Sequence, residues 1–144
     1  MIIGLKAPMP PSANEAYRVM GKHITKSDIN TSYQNSFAGI VLADNPHLLQ
    51  VPENFISRGG EYAVLAVFFV TKLLRKVRGK DTIFLKEDVD NRIKILGDCL
   101  KKVLGVDDTN FFDIRLKKRM DKEDGPYVEV YIQKIGEYHE DESH

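Results

Sequence analysis

Cysteine is nearly absent from this chain: Cys99 is the single thiol among 144 residues. One cysteine excludes an internal disulfide and a cysteine-built zinc cage. Long hydrophobic runs are missing as well. The longest, residues 62–70, falls far short of the roughly 20 apolar residues of a membrane-spanning helix. The opening Met-Ile-Ile-Gly-Leu-Lys lacks the charged-then-apolar layout of a signal peptide. His23, His47, His139 and His144 show no ligand spacing. These absences point to a chain of the reducing cytoplasm with no membrane partner. What remains is ordinary: 42% hydrophobic and 29% charged residues, in a length suited to one domain with a real core.

No charge of one sign prevails, since 21 Lys and Arg meet 21 Asp and Glu. The balance hides an asymmetry. Residues 136–144 hold four acids and no Lys or Arg, which leaves the body with 21 basic against 17 acidic residues, a charge of +4. The chain therefore reads as a folded domain over residues 1–135 and an acidic, disordered tail over 136–144. Two basic runs stand out in the body. Lys72, Arg75, Lys76, Arg78 and Lys80 form one; Arg115, Lys117 and Arg119, with Lys118 among them, form the other. Such runs are often plain solvated faces, and they are also what binding to a phosphate backbone requires.

Periodicity lays out an α+β fold, a mixed β-sheet with two main helices. Residues 1–7 read as a strand, ended by the stiff Pro8-Met9-Pro10-Pro11 segment. Ser27 or Asp28 caps a helix to Ala43 with Tyr33, Phe37, Ile40 and Val41 as its buried stripe. Residues 44–60 read as a loop. Residues 62–70 are apolar on both faces, as in a central strand. Residues 82–87 form a strand pairing with it, so the basic run between them becomes a hairpin tip. A second helix spans residues 91–104, with Ile93, Leu96, Leu100, Val103 and Leu104 inward and Asp90, Lys94, Asp98 and Lys101 on the other side. Gly105 stops it. In the next strand Phe112, Ile114 and Leu116 face one way while Arg115, Lys117 and Arg119 make a positive stripe on the other. Residues 127–132 form the last strand.

The chemistry concentrates around the second helix. Asp88 and Asp90 precede it and Asp107 and Asp108 follow it. In extended backbone Asp88 and Asp90 point to one face. Carboxylates placed together repel unless a cation lies between them, and oxygen-only ligands suit Mg²⁺, with Mn²⁺ as the alternative. The competing reading is plain capping, because Asp bonds the free N–H groups of helix starts and turns. Asp107 and Asp108 point apart in an extended chain, so one of them faces the metal. A helix of this length measures about 20 Å, which sets Asp90 and Asp108 at its opposite ends. Three residues after Gly105 are too few to bring them together in one chain. Two helices packed antiparallel in a homodimer would do so.

Two stretches resemble the RusA-type Holliday-junction resolvases, endonucleases that cut four-way DNA junctions. Pro8-Met9-Pro10-Pro11-Ser12-Ala13-Asn14, continuing to Tyr17 and Arg18, is similar to the family's N-terminal motif. Asp88-Val89-Asp90-Asn91, then Lys94, the helix, and Gly105-Val106-Asp107-Asp108 are similar to its acidic motif. The resemblance implies a RusA-like domain over residues 1–135 and a Mg²⁺-dependent endodeoxyribonuclease of recombination and repair. It implies Asp88, Asp90 and Asp108 as magnesium carboxylates, with Asp107 as an alternate ligand, and Lys94 as a residue needed for cleavage. Asn14, Arg18 and the two basic runs then face branched DNA, and a homodimer supplies two symmetric nicks. The chain departs from the family where its arginine run is replaced by Phe84-Leu85-Lys86-Glu87. The rival reading is a non-cleaving module that binds branched DNA, with the aspartates as caps.

Overall fold

The computed structural model describes residues 2–12, 17–20, 23–52, 55, 61–71, 75–77, 80–83, 89–121 and 125–137; of these, 17–20, 23–26, 61–62, 75–77, 80–83, 89–91 and 136–137 are described by backbone alone. Strand β1 (Ile2–Pro8) opens the chain, and β2 (Tyr17–Met20) and β3 (His23–Lys26) form a small antiparallel ribbon. Helix α1 (Asp28–Asp44) follows, then a 3-10 turn (Pro46–Gln50), β4 (Glu61–Thr71), β5 (Arg75–Val77), β6 (Lys80–Ile83) and helix α2 (Val89–Leu104). A second 3-10 turn (Asp108–Asn110), β7 (Phe111–Met120) and β8 (Tyr127–Glu137) complete it.

The main sheet runs β1-β8-β4-β7, with β4 antiparallel to β8 and parallel to β7. The α+β class and mixed sheet expected from the periodicity are what the chain forms. One expected pairing is replaced. Among the described residues β4 does not pair with the segment after the basic run; β5 and β6 pair with each other as a separate ribbon. A strand apolar on both faces belongs in the sheet interior, where it needs a partner on each side. The parallel partner, β7, is reached through the β5–β6 ribbon and α2, as parallel pairing demands a long connection. β8 continues to Glu137, opposite Glu61, so strand enters the first two residues of the segment read as a tail. Residues 138–144 lie outside the described residues.

Both helices cover one face of the sheet. Ile3, Leu5 and Ala7 of β1, Ala63, Leu65, Val67 and Phe69 of β4, and Val128, Val130 and Ile132 of β8 are buried against Phe37, Val41, Leu96 and Leu100. Burying one such side chain stabilises the fold by about 1.5–3 kcal/mol. Cys99 is buried in the same core, the place its position in α2 predicts. Ser27 caps α1, its Oγ accepting from the Asn30 N–H at 3.2 Å. Gly105 ends α2 at φ +69°, where its N–H reaches the Lys101 carbonyl at 2.9 Å.

α1 differs from its expected stripe. Ile40 is exposed, and the buried line is Asn30, Gln34, Phe37 and Val41. Gln34 Nε2 donates to Asn30 Oδ1 at 2.9 Å, and Lys102 Nζ of α2 donates to Gln34 Oε1 at 3.0 Å. Those bonds offset part of the cost of burying two amides; Asn30 Nδ2 has no hydrogen-bond partner among the described residues. Residues 44–60 are not all surface loop either, since Leu48 and Phe55 enter the core. The free edge of β1 is closed by side chains. Asn45 pairs with the Lys6 N–H and C=O at 2.9 and 2.7 Å, and His47 Nε2 donates to the Gly4 carbonyl at 2.6 Å.

β7 carries an irregularity that shifts its inward set. Ala63 pairs with Phe111 and Val64 with Asp113, so Phe112 bulges out and is 60% exposed. Phe111 and Leu116 pack on the core, while Ile114 stays exposed. Arg115, Lys117 and Arg119 do share the opposite face, as expected.

Candidate active-site groove

α2 begins at Val89, so Asp90 lies in its first turn. The two-residue alternation that would set Asp88 and Asp90 on one face of an extended strand therefore does not run through Asp90. Asp88 lies outside the described residues, as do Asn14, Lys72 and Arg78; Arg18, Arg75, Lys76, Lys80 and Asp90 are described by backbone alone.

Downstream of Asp90, successive turns of α2 present Lys94, Asp98 and Lys101 to a groove of about 460 Å³. Its other wall is built by Asp107, Asp108, Phe111 and Ile114, and Leu65 contributes from β4. Gly97 leaves the helix wall open at its middle; a Cβ there would meet no atom within 4 Å. Three of the residues singled out from the sequence, Lys94, Asp107 and Asp108, are thus brought to one groove.

The path of the chain explains how. After Gly105 it buries Val106, turns through Asp107, and continues as β7, so that Ile114 lines the same groove as Ile93 of α2. The groove thereby links the C-terminal carboxylates to Lys94, one helical turn from Asp90. The expected opposition of the two helix ends holds along the helix axis, and the groove beside it is lined by Lys94 near one end and Asp108 beyond the other.

Asp107 and Asp108 do not diverge. Asp107 caps the 3-10 turn, accepting from the Thr109 N–H at 3.3 Å, and its other oxygen meets Lys101 Nζ at 2.9 Å. The tight turn sets the two carboxyls side by side on the groove wall. The Asp108 hydrogen bond and Lys101 hold Asp107 well below the ordinary carboxylate range. The neighbouring Asp107 carboxyl pushes Asp108 up from its ordinary value. A divalent ion would relieve this crowding, and an all-oxygen pair of this kind fits Mg²⁺ or Mn²⁺. Among the described residues no three His, Cys, Asp or Glu side chains are grouped so as to hold a metal. Two carboxylates from the groove need further donors, and Asp88 and Asp90 are the candidates that the sequence offers.

The proline segment is anchored by both helices. Tyr33 of α1 donates to the Pro8 carbonyl at 2.7 Å, and Arg92 of α2 donates to the Pro10 carbonyl. Burial pushes the Tyr33 hydroxyl well above its ordinary value. Arg92 sits in the first turns of α2, between Asp90 and Lys94, so the segment leading to Asn14 is tied to the start of the same helix.

Sequence reasoning missed Asp98 and Lys101 as groove residues and Arg92 as an anchor. A signal for Asp98 existed: Asp90, Lys94 and Asp98 recur at four-residue spacing and make one row on a helix. The basic stripe of β7 is partly neutralised. Arg115 bonds Asp113 at 2.9 Å and Arg119 bonds Glu129, and these partners raise both guanidinium pKa values.

A family profile described as endodeoxyribonuclease RusA matches residues 8–133. That span includes the proline segment, both helices and the whole groove. No curated protein matches the chain.

Proposed function

The chain belongs to the RusA endodeoxyribonuclease family, and from that premise we propose that it is a Mg²⁺-dependent enzyme cutting four-way DNA junctions by paired, symmetric phosphodiester hydrolysis. The family is one of endonucleases acting on Holliday junctions; the metal, the residues and the assembly are the reading offered here. The observation that carries it is the groove that joins Lys94 to the Asp107–Asp108 pair.

Asp88, Asp90 and Asp108 would hold the ion, with Asp107 beside them. When bound, the ion activates a water and screens charge on the leaving oxygen. Lys94 neutralises the scissile phosphate from the groove wall. Asp107 is already engaged by Lys101, which leaves Asp108 as the more available ligand of the two. Arg115, Lys117 and Arg119 supply phosphate contacts that position the DNA without reading bases. The β5–β6 ribbon and its basic run, with Asn14 and Arg18, are assigned the same task. A homodimer provides two sites for two nicks, in the cytoplasm, during recombination and repair. Among the described residues no helix is long and apolar enough to cross a membrane.

The test is cleavage of a synthetic four-way junction with and without Mg²⁺. Wild type should yield paired nicks, and both Asp90→Asn and Asp108→Asn should bind the junction yet leave it whole. Salt-sensitive binding by wild type with no nicks under any divalent ion would favour the rival, a non-cleaving branched-DNA module. Mixing the two variants addresses the sharing of a site. Donors drawn from one chain leave the mixed dimer dead, whereas a site shared across the dimer would regain one intact centre.

A further inference from the structure

We propose that the face of the sheet opposite the helices is a platform for unpaired DNA bases, stacked on Tyr131 and Phe68. This rests on the reading that the chain acts on branched DNA, and it names which part of a branch the face would hold.

Strand register lays out that face in rows. Gly4 of β1, Tyr131 of β8, Ala66 of β4 and Arg115 of β7 form one row. Lys6, Glu129, Phe68 and Lys117 form the next, and Pro8, Tyr127, Val70 and Arg119 the one after. None of these residues belongs to the core packed under the helices, and since Val70 and Tyr127 of the third row are themselves buried, the first two rows form the open part of the face. The first row is low, because Tyr131 stands between the two smallest side chains available. A Cβ at Gly4 would come within 3.2 Å of the Tyr131 ring, so glycine gives that ring room to lie over β1 and a larger residue would push it aside by a few tenths of an ångström. Tyr131 remains 39% exposed, and its ring meets Phe68 edge to face at 5.9 Å.

Cations surround this aromatic pair. Lys117 Nζ is 5.7 Å and Arg119 Cζ 5.5 Å from the Phe68 ring centroid. Among the described side chains of the face, Lys6, Arg115, Lys117 and Arg119 outnumber Asp113 and Glu129. The pair Arg115–Asp113 is solvent-exposed and Arg119–Glu129 partly so, and the exposed guanidinium of each can exchange its carboxylate for phosphate at little cost. Aromatic rings framed by exchangeable cations suit a single strand, whose bases stack while its phosphates meet the positive rim. A paired duplex would engage the rim alone, since its bases are stacked on one another. A second copy of this chain would set like-charged rims against each other, which disfavours that occupant.

The experiment measures binding of the full chain, without divalent ions, to two DNAs. One is a fully paired four-way junction; the other is that junction with one arm replaced by single-stranded oligothymidine carrying 5-iododeoxyuridine. Wild type should prefer the second by roughly tenfold, the scale of one base–aromatic stack. Irradiation should cross-link it at Tyr131 or Phe68. Tyr131→Leu should erase the preference and leave junction binding unchanged, while Tyr131→Phe should keep it. Tyr131 lies outside the core, so Tyr131→Leu tests the face in a folded protein, which circular dichroism verifies. Equal binding of both DNAs by wild type, a preference that survives Tyr131→Leu, or cross-links mapping elsewhere would each overturn the platform while leaving the junction reading intact. So would a dimer of wild type that becomes monomer in Tyr131→Leu, since the face would then be covered by a second copy. Failure of wild type to bind either DNA would sink the junction reading, and the platform with it.

Discussion

The two helices lie on the same face of the same sheet and are built to different rules. α2 buries Ile95, Leu96, Cys99 and Leu100 and turns Lys94, Asp98 and Lys101 to the groove. Its two sides separate core from chemistry. α1 has no such separation: its buried line begins with two amides, Asn30 and Gln34, and ends with Phe37 and Val41. Its polar groups are spent on structure, joining α1 to Lys102 of α2 and the proline segment to Tyr33. A polar residue on α2 is therefore a candidate for function, whereas a polar residue on α1 is a candidate for stability.

That contrast can be broken most severely at Phe37. Phe37→Ala should cost about 3–5 kcal/mol of stability in chemical denaturation, because a large side chain leaves a fully packed site. Activity per folded molecule should stay near wild type. A comparable loss in rate from a position in α1 would erase the distinction. Lys94→Met should do the reverse. Cleavage of the junction should fall by about 10²–10³ at saturating DNA, the scale of one lost electrostatic contact to a transition state. The melting temperature should not move, since Lys94 is exposed.

Gln34 sharpens the comparison at a smaller scale. Gln34→Met should cost about 1–3 kcal/mol, because Asn30 then loses its buried partner. Replacing both amides in Asn30→Leu/Gln34→Met should cost less than that single change, and a double-mutant cycle from denaturation midpoints measures the coupling. The smallest effect belongs to Gly97. Gly97→Ala should stabilise by about 0.5–1 kcal/mol, since the helix gains propensity and the new Cβ meets open space. Gly97→Leu should reach into the groove and slow cleavage without unfolding the protein.

The two helices also differ in how much could be read in advance. α2 was legible because its apolar residues recur at helical spacing and its charges occupy the rest. α1 is legible as a helix, from its Ser27 cap and its length, and Tyr33, Phe37 and Val41 do face the core, but Ile40 does not. Ile40 looks like core by type, and only packing shows that Asn30 and Gln34 take that side. The β7 bulge was hidden for a similar reason. Phe111 and Phe112 are identical in kind, and the register against β4 decides which of them is inside. In the groove, Lys94, Asp107 and Asp108 could be named from their neighbours along the chain. Asp98, Lys101 and Arg92 could not be given roles, since those depend on β7 and Pro10, distant in sequence.

Local order of residues was enough to establish the class of fold, the two helices and the main strands, and to single out the acidic and basic groups on which the proposed chemistry rests. Periodicity, capping and charge are properties of neighbours, and neighbours are written side by side. Tertiary structure alone decided that β4 lies between β8 and β7, that Asp107 and Asp108 share a groove with Lys94, and that among the described residues no helix covers the second face of the sheet. Each of these depends on which distant segments pair, and pairing is selected by the packing of the whole chain.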